Sequence, residues 1–153
     1  MQPTIVKKDK LQITGLTGNG NDTGKVWADF DAAYDSKPFS KACEHGYEIR
    51  FWDGDKPAPK GMDIHVGFLT SDAEAPGEFT TITLPPAEYA VFDVYTAKGY
   101  DSGNAEMNKW LKDNATVYKQ MLMDGVAYVV ECYNEKFSQP DSVVEIWIPV
   151  EKI

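Results

Sequence analysis

Residues 47–68 (YEIRFWDGDKPAPKGMDIHVGF) and residues 128–150 (YVVECYNEKFSQPDSVVEIWIPV) follow one pattern. Each stretch begins with an alternating apolar segment, passes through an Asp- or Asn-rich turn and a loop that contains proline, and ends in a second apolar segment. Alternation of apolar and polar residues is typical of a strand that buries one face. The two stretches differ by one residue in the connecting loop, so the sequence predicts two equivalent strand pairs.

A helix is predicted before each strand pair. The first covers residues 25–34 and the second residues 104–120, because their apolar side chains recur at helical spacing. These side chains are Val26, Trp27, Phe30 and Tyr34 in the first helix, and Met107, Trp110, Leu111 and Tyr118 in the second. The predicted strands cover residues 11–16, 47–52, 62–70, 79–84, 89–95, 127–133 and 143–150.

The recurring order of elements predicts an α+β fold built from two strand–helix–strand–strand repeats. The repeats cover about residues 1–75 and 76–153 of a single domain that spans residues 1–153. They are expected to form one curved antiparallel sheet with both helices on one face.

Composition limits the classes of function. The chain has 153 residues, of which 42% are hydrophobic, enough for one domain with a buried core. Its 15 Lys and Arg residues stand against 24 Asp and Glu residues, and basic residues form no run, which argues against direct nucleic-acid binding. No apolar stretch approaches the roughly 20 residues that span a bilayer, and the start MQPTIVKKDK is unlike a signal peptide. A soluble, cytoplasmic protein without membrane contact is expected.

No residue pattern points to a metal or a cofactor. Cys43 and Cys132 lack metal-ligand spacing, and Cys132 lies in an apolar run, where a buried free thiol is expected. The histidines, His45 and His65, lack a third ligand at motif spacing, and the glycine-rich residues 15–25 lack the register of a phosphate-binding loop. We therefore expect neither a cofactor nor a bound metal.

Side-chain alternation divides each strand pair into two faces. In the second pair, the apolar set assigned to the helices is Val130, Cys132, Val144, Ile146, Ile148 and Val150. The opposite face then holds Val129, Glu131, Tyr133, Val143, Glu145, Trp147 and Pro149. In the first pair, Ile49, Phe51, Ile64 and Val66 are assigned inward, and Glu48, Arg50, Trp52, Asp63 and His65 outward.

Carboxylates beside large aromatic residues on the free face allow two interpretations. Antiparallel sheets often expose such residues to solvent. Alternatively, the face is a ligand cleft, since a carboxylate between aromatic walls attracts an organic cation, with cation–π contacts of about 0.5–2 kcal/mol per ring. Desolvation by these rings would also raise the pKa of the carboxylate and suit it to proton transfer.

The segments LPPAEYAVFDVYTAKG, MNKWLKDN, VVECYNEKF and VEIWIPV, in this order, resemble the GyrI-like small-molecule-binding domain. That domain is the effector-binding domain of many AraC-type and MerR-type regulators. The resemblance is strongest over residues 79–153 and extends through GYEIRFW and MDIHVGF over most of the chain. It implies a duplicated fold with a ligand cleft on the sheet face away from the helices. It also implies a buried glutamate among aromatic residues that meets cationic, lipophilic ligands, and Glu131, beside Tyr133, matches that glutamate.

The candidate ligand contacts are carboxylates and aromatic side chains. Glu131 and Tyr133 come from both the resemblance and the alternation, and Glu145 is the rival carboxylate. The remaining candidates are aromatic walls, namely Trp147, Tyr95, Trp52 and Trp110. Tyr95 rests on strand parity alone, and Trp110 reaches the cleft only if its helix end projects beyond the sheet.

The favoured function is binding of an amphipathic, cationic organic molecule, with Glu131 as the counter-charge. Some stand-alone relatives resemble hydrolases of reactive cyclopropane-bearing compounds, and in that alternative Glu131 is the acid/base or nucleophile and Tyr133 orients substrate or water. A gyrase-inhibitor-like protein-interaction module is a third alternative. The regulators carry a DNA-binding domain ahead of this one, whereas here the domain begins near residue 1. A stand-alone form is therefore expected, and a protein partner or a homodimer stays open.

Overall fold

The chain forms one antiparallel sheet with two helices in the computed structural model, which describes residues 2–53, 56–57, 64–71, 77–134 and 142–153. The strands are β1 (Thr4–Lys8), β2 (Leu11–Gly18), β3 (Gly46–Asp53), β4 (Lys56–Pro57), β5 (Ile64–Thr70), β6 (Thr80–Leu84), β7 (Ala87–Tyr95), β8 (Tyr118–Gln120), β9 (Leu122–Met123), β10 (Val126–Tyr133) and β11 (Val143–Lys152). Helix α1 (Thr23–Ser36) lies between β2 and β3, and helix α2 (Tyr100–Asp113) between β7 and β8. The predicted α+β class with an antiparallel sheet is confirmed.

The strand order in the sheet is β1-β7-β11-β10-β3-β5-β2-β6. The short strands β4, β8 and β9 pair with β3, β11 and β10. The two strand pairs predicted from the sequence meet at the centre, where β10 pairs with β3. Each edge strand pairs with a strand of the other repeat. β1 precedes β2 in the chain but pairs with β7, and β6 precedes β7 but pairs with β2.

Both helices cover the same face of the sheet. The register pairs Glu48 with Val66, Glu48 with Glu131, and Glu131 with Ile146. Directly opposed residues of neighbouring antiparallel strands point to the same side, so these four side chains form one row. Val66 packs in the core cluster of α1 and Ile146 in that of α2, and both helices therefore lie over this row's face.

Each helix packs over one flank of the sheet through its apolar stripe. Helix α1 buries Val26 and Phe30 over β2 and β5, and helix α2 buries Met107 and Trp110 over β7 and β11. The central strands β3 and β10 therefore lie beneath the space between the helices. Neither helix of the described residues is long and apolar enough to cross a membrane.

The opposite face of the sheet carries a second core. Ile13, Ile49, Tyr89, Tyr128 and Trp147 belong to one buried cluster there, and the hydroxyl oxygens of Tyr89 and Tyr128 lie 3.4 Å apart. This cluster joins β2 near one edge of the sheet to β7 near the other, so the sheet curves around it. The face of the central strands away from the helices is therefore buried among apolar residues.

In the second strand pair, β10 is oriented opposite to the prediction. Val130 lies directly opposite Trp147, and Cys132 directly opposite Glu145, so these four side chains share the face away from the helices. Glu131 consequently points to the helix side. The prediction is wrong because it assigned the apolar residues of β10 to the helices, whereas they belong to the second core.

The same error occurs in the first strand pair. Ile49 lies opposite His65, so Ile49 and Phe51 face the second core, while Ile64 and Val66 face α1. Apolar residues at alternate positions show that a strand has a buried face. They do not show which face meets the helices when both faces are buried.

The second helix is placed earlier in the chain than predicted. It begins at Tyr100 and ends at Asp113, because the side-chain amide of Asn114 donates to the Trp110 carbonyl oxygen over 2.8 Å and closes the last turn. The following Tyr118–Gln120 form β8, which pairs with β11. The strands β1, β4, β8 and β9 are absent from the sequence-based prediction.

Candidate functional site

A cavity of about 1110 Å³ opens between α1 and α2, above the centre of the sheet. Its size is similar to that of pockets that hold drug-sized molecules, which measure roughly 300–1,000 Å³. Its walls are mostly apolar, from Trp27, Met107, Leu111, Val129, Ile146 and Ile148. The cavity thus places mostly apolar walls above the row of side chains that crosses β3, β10 and β11.

The cavity lies on the helix-covered face, and the prediction of a cleft on the opposite face is wrong. The helices sit over the two flanks and leave the central strands uncovered between them. The opposite face is filled by the second core, so no comparable space remains there among the described residues.

Three charged side chains form the floor of the cavity. The Arg50 Nε donates to Glu48 Oε2 over 2.6 Å and to Glu131 Oε2 over 3.0 Å, and its Nη2 donates to Thr23 Oγ1 of α1 over 2.8 Å. Glu48 is fully buried, and Glu131 is 6% exposed. The two glutamates, called here the carboxylate pair, therefore share one guanidinium.

Each member of the carboxylate pair also accepts a hydrogen bond from an aromatic side chain. The indole Nε1 of Trp27 donates to Glu48 Oε1 over 2.8 Å, and the hydroxyl of Tyr133 donates to Glu131 Oε1 over 3.0 Å. The two rings meet edge to face with their centroids 5.8 Å apart. Together they connect α1 to β10 and form an aromatic wall above the carboxylates.

Burial and charge set the protonation of this floor. Burial raises the pKa of Glu131 to about 8, and the hydrogen bond to Glu48 and its negative charge add to the rise, while Arg50 and the Tyr133 hydroxyl oppose it. Burial disfavours the charge on Arg50, but the two glutamates outweigh that effect and raise the pKa of the guanidinium. Burial and the sharing of one guanidinium between two carboxylates therefore favour a proton on the carboxylate pair at neutral pH.

The lining of the cavity has an excess of acidic groups. Asp31 of α1 and Glu44, which precedes β3 and pairs with Lys41 over 3.1 Å, also line the cavity, and Arg50 is the single Lys or Arg among the described lining residues. Burial and the nearby Asp35 raise the pKa of Asp31. Such an arrangement attracts cations and repels anions.

The predicted site residues divide between two faces of the sheet. Glu131 and Tyr133 line the cavity. Trp147 is buried in the second core, where its Nε1 donates to Glu145 Oε1 over 2.9 Å and the Lys8 ammonium lies 4.3 Å from its ring centroid. The prediction that Trp147 and Glu145 share a face with Glu131 is wrong, because the register pairs Glu131 with Ile146.

Two other aromatic candidates, Tyr95 and Trp110, are also away from the cavity. Tyr95 is 49% exposed at the end of β7. Trp110 packs between Phe92 and Tyr118 in the core of α2, with ring centroids 5.8 and 5.6 Å away. The side chain of Trp52 lies outside the described part of the chain.

Sequence reasoning missed three residues of the floor and wall. Glu48 and Arg50 were placed together on one face but not singled out, and Trp27 was assigned to the core stripe of α1. The informative signal was the spacing of Glu48 and Arg50 two residues apart in an apolar strand, which puts two charges on one face. Charges in a buried strand require partners, and so mark a polar site.

A family profile described as Cass2, integron-associated effector binding protein, matches residues 4–150. No protein with a curated description matches the sequence at a significant level.

Several solved structures share the fold. The EcmrR chain of an EcmrR–DNA complex superposes with a TM-score of 0.72 at 13% identity, over 99% of this chain and 58% of that chain, so this chain spans little more than half of EcmrR. SAV2435 bound to tetraphenylphosphonium has a TM-score of 0.64 at 15% identity, over 99% of this chain and 94% of that one. The integron cassette protein VCH_CASS2 from the mobile metagenome of Vibrio cholerae has a TM-score of 0.57 at 15% identity, over 99% and 97% of the two chains.

Proposed function

The chain belongs to the family of integron-associated effector-binding proteins, and we propose that it binds an amphipathic, cationic organic molecule in the cavity between α1 and α2. The resemblance to a GyrI-like effector-binding domain is thereby confirmed. Binding of small molecules is the property that this family assignment supports, and the cationic character of the ligand is our proposal.

The carboxylate pair carries the proposal. Glu48 and Glu131 are both buried at the floor of an otherwise apolar cavity and share the single charge of Arg50. When both carboxylates are ionised, the floor keeps one uncompensated negative charge. A lipophilic cation would neutralise this charge while burying its apolar groups against the walls, and both contributions favour binding.

The aromatic wall supports the same ligand class. Trp27 and Tyr133 line the cavity beside the carboxylates to which they donate, and a cation that contacts a ring face would gain about 0.5–2 kcal/mol from each ring. Tetraphenylphosphonium, the ligand named for SAV2435, is a cation of this kind and serves here as a probe.

The test is a calorimetric titration of the full chain with tetraphenylphosphonium, comparing wild type with Glu131→Gln. We expect saturable binding that weakens about tenfold or more in the variant, equivalent to about 1.4 kcal/mol, because glutamine keeps the shape but cannot ionise to face the bound cation. Glu145→Gln is the matched comparison, since Glu145 lies on the other face. Equal loss in both variants, or loss in Glu145→Gln alone, would contradict the site, and absence of binding by wild type would contradict the cationic ligand class.

Hydrolysis is a second candidate, favoured by one observation. Glu131 has a raised pKa of about 8 and accepts a hydrogen bond from the Tyr133 hydroxyl, which is an arrangement suited to a general acid beside an orienting group. Product formation from strained, cyclopropane-bearing electrophiles, abolished by Glu131→Gln, would establish it. Binding without turnover supports the first function alone.

The architecture also suggests a duplicated origin. The order β2-α1-β3-β5 and the order β7-α2-β10-β11 follow each other along the chain, and β3 and β10 meet at the centre. We propose that residues 1–153 form one domain whose two repeats each supply one member of the carboxylate pair. Separately expressed halves should then associate, and failure to recover the fold from a mixture of both halves would argue against this division.

A further inference from the structure

The carboxylate pair is arranged so that two ionised groups compete for one positive charge. Glu48 and Glu131 lie directly opposite each other in the pairing of β3 with β10, and the same Arg50 Nε donates to one oxygen of each. Their remaining oxygens accept from neutral donors, the Trp27 indole and the Tyr133 hydroxyl. Two carboxylates that share one site resist simultaneous ionisation, so one of them tends to keep a proton.

We propose that the carboxylate pair stores one exchangeable proton, and that a bound permanent cation takes its place and releases it to solvent. This exchange rests on the proposed function, because it describes how the same cavity admits its ligand. The ionisation breaks one O–H bond of a glutamic acid, leaves its electron pair on the carboxylate, and transfers the proton to water. The entering cation replaces the charge that leaves, so the charge of the floor is the same before and after the exchange.

The groups that face the carboxylate pair support this assignment. Arg50 and Tyr133 of the sheet and Trp27 of α1 contact the pair, whereas Asp31 of α1 and Glu44, which pairs with Lys41, line the cavity around it. The described lining of α2 contributes amides but no ionisable side chain, and its polar members are Asn104 and Asn108. The pair therefore has one cationic neighbour, Arg50, and burial together with the opposed Glu48 raises the pKa of Glu131.

The experiment is calorimetry of tetraphenylphosphonium binding at pH 7, repeated in two buffers with different ionisation enthalpies. The difference in apparent binding enthalpy reports the number of protons released per ligand. We expect release of most of one proton at pH 7, and progressively less as the pH rises and the free pair ionises. The dissociation constant should fall about tenfold between pH 6 and pH 7 and become independent of pH above about 9.

Two variants assign the proton to the carboxylate pair. In Glu48→Gln, Glu131 faces Arg50 without a competing carboxylate and is already ionised, so proton release at pH 7 should fall below about 0.3. Glu151→Gln is the control, because Glu151 is exposed on β11 and pairs with Lys119, and it should leave the release unchanged.

The outcomes separate this inference from the proposed function. Saturable binding without proton release overturns the exchange and leaves the function standing, whereas absence of binding overturns both. Proton release by Glu48→Gln that equals that of the wild type also overturns the proposed exchange. If that variant does not fold, carbon-13 spectra of glutamate carboxyl groups in the wild-type protein decide the question. One buried carboxyl should titrate near pH 8 in the free protein and be ionised at pH 7 in the complex, and two carboxyls already ionised at pH 6 would contradict the proposal.

Discussion

The indole Nε1 of Trp27 on α1 donates to Oε1 of Glu48 on β3 over 2.8 Å, and so connects the helix layer to a fully buried charge in the sheet. The same ring meets Tyr133 of β10 edge to face. Trp27 therefore has two roles in the free protein, as a hydrogen-bond donor to a carboxylate and as a wall of the cavity.

Trp27→Phe should lower the free energy of unfolding by about 1.5–3 kcal/mol at pH 7, the usual contribution of a hydrogen bond to a charged group. The ring is largely retained, but the donor to Glu48 is lost. Urea unfolding measures the change. A double-mutant cycle with Glu48→Met, which removes the acceptor, isolates the bond, and additive effects of the two substitutions would show that the donor contributes nothing.

Arg50→Met should destabilise the free protein more at pH 9 than at pH 6. Removal of the guanidinium leaves the carboxylate pair without a counter-charge, and at lower pH protonation relieves the repulsion. The loss at pH 9 should be about 2–3 kcal/mol, less than for a fully buried ion pair because the Arg50 side chain is 37% exposed. Addition of Glu131→Gln should recover part of the stability at pH 9, and no recovery would show that Arg50 acts through packing alone.

His65 should make the protein sensitive to mild acid. The ring is fully buried, its Nε2 lies 2.8 Å from the Ile13 carbonyl oxygen, and its Nδ1 lies 2.9 Å from Thr17 Oγ1. A neutral ring protonated at Nε2 satisfies both partners. Burial lowers the pKa of His65 to about 4, against the carbonyl hydrogen bond, which raises it.

The ordinary pKa of histidine, about 6.5, applies to His65 in the unfolded chain. Because the folded protein holds the ring neutral, the unfolded chain binds more protons than the folded protein below pH 6.5. The free energy of unfolding therefore has its full value above pH 6.5 and decreases as the pH falls towards 4, by a total of about 3 kcal/mol. Unfolding measured between pH 7 and pH 4 tests the size, and nitrogen-15 shifts of the ring test the tautomer. Titration of the folded ring near pH 6.5 would contradict the prediction.

Gly67→Ala should prevent folding or destabilise the sheet by more than about 3 kcal/mol. Gly15 and Gly67 lie opposite each other where β2 pairs with β5, and a Cβ on Gly67 would lie 2.0 Å from the Thr14 carbonyl oxygen. Relief of this overlap requires the two backbones to move apart. Gly24→Ala is the control, since a Cβ there meets nothing within 4 Å and alanine favours the helix by about 1 kcal/mol. A cooperative, wild-type-like unfolding curve for Gly67→Ala would show that the strands separate at little cost.

Local residue patterns were sufficient for several features of this protein. The strand pairs that contain Glu48 and Glu131, and both helices, follow from hydrophobic spacing, because the periods of strands and helices are properties of the backbone. The acidic and aromatic residues Glu131 and Tyr133 were placed together because they lie two residues apart on one strand. Spacing within one element is readable without knowledge of its neighbours.

Relationships between elements were not readable in this way. The pairing register set Glu131 opposite Glu48 and Ile146, and so moved it to the helix side, while Trp147 went to the second core. The curvature of the sheet buries both of its faces, and alternation along β3 and β10 shows which residues share a face but not which face the helices cover. Contacts between residues that are far apart in the chain therefore set the position of the cavity, bring the carboxylate pair together and bond it to Trp27. The sequence holds no periodic signal for such contacts.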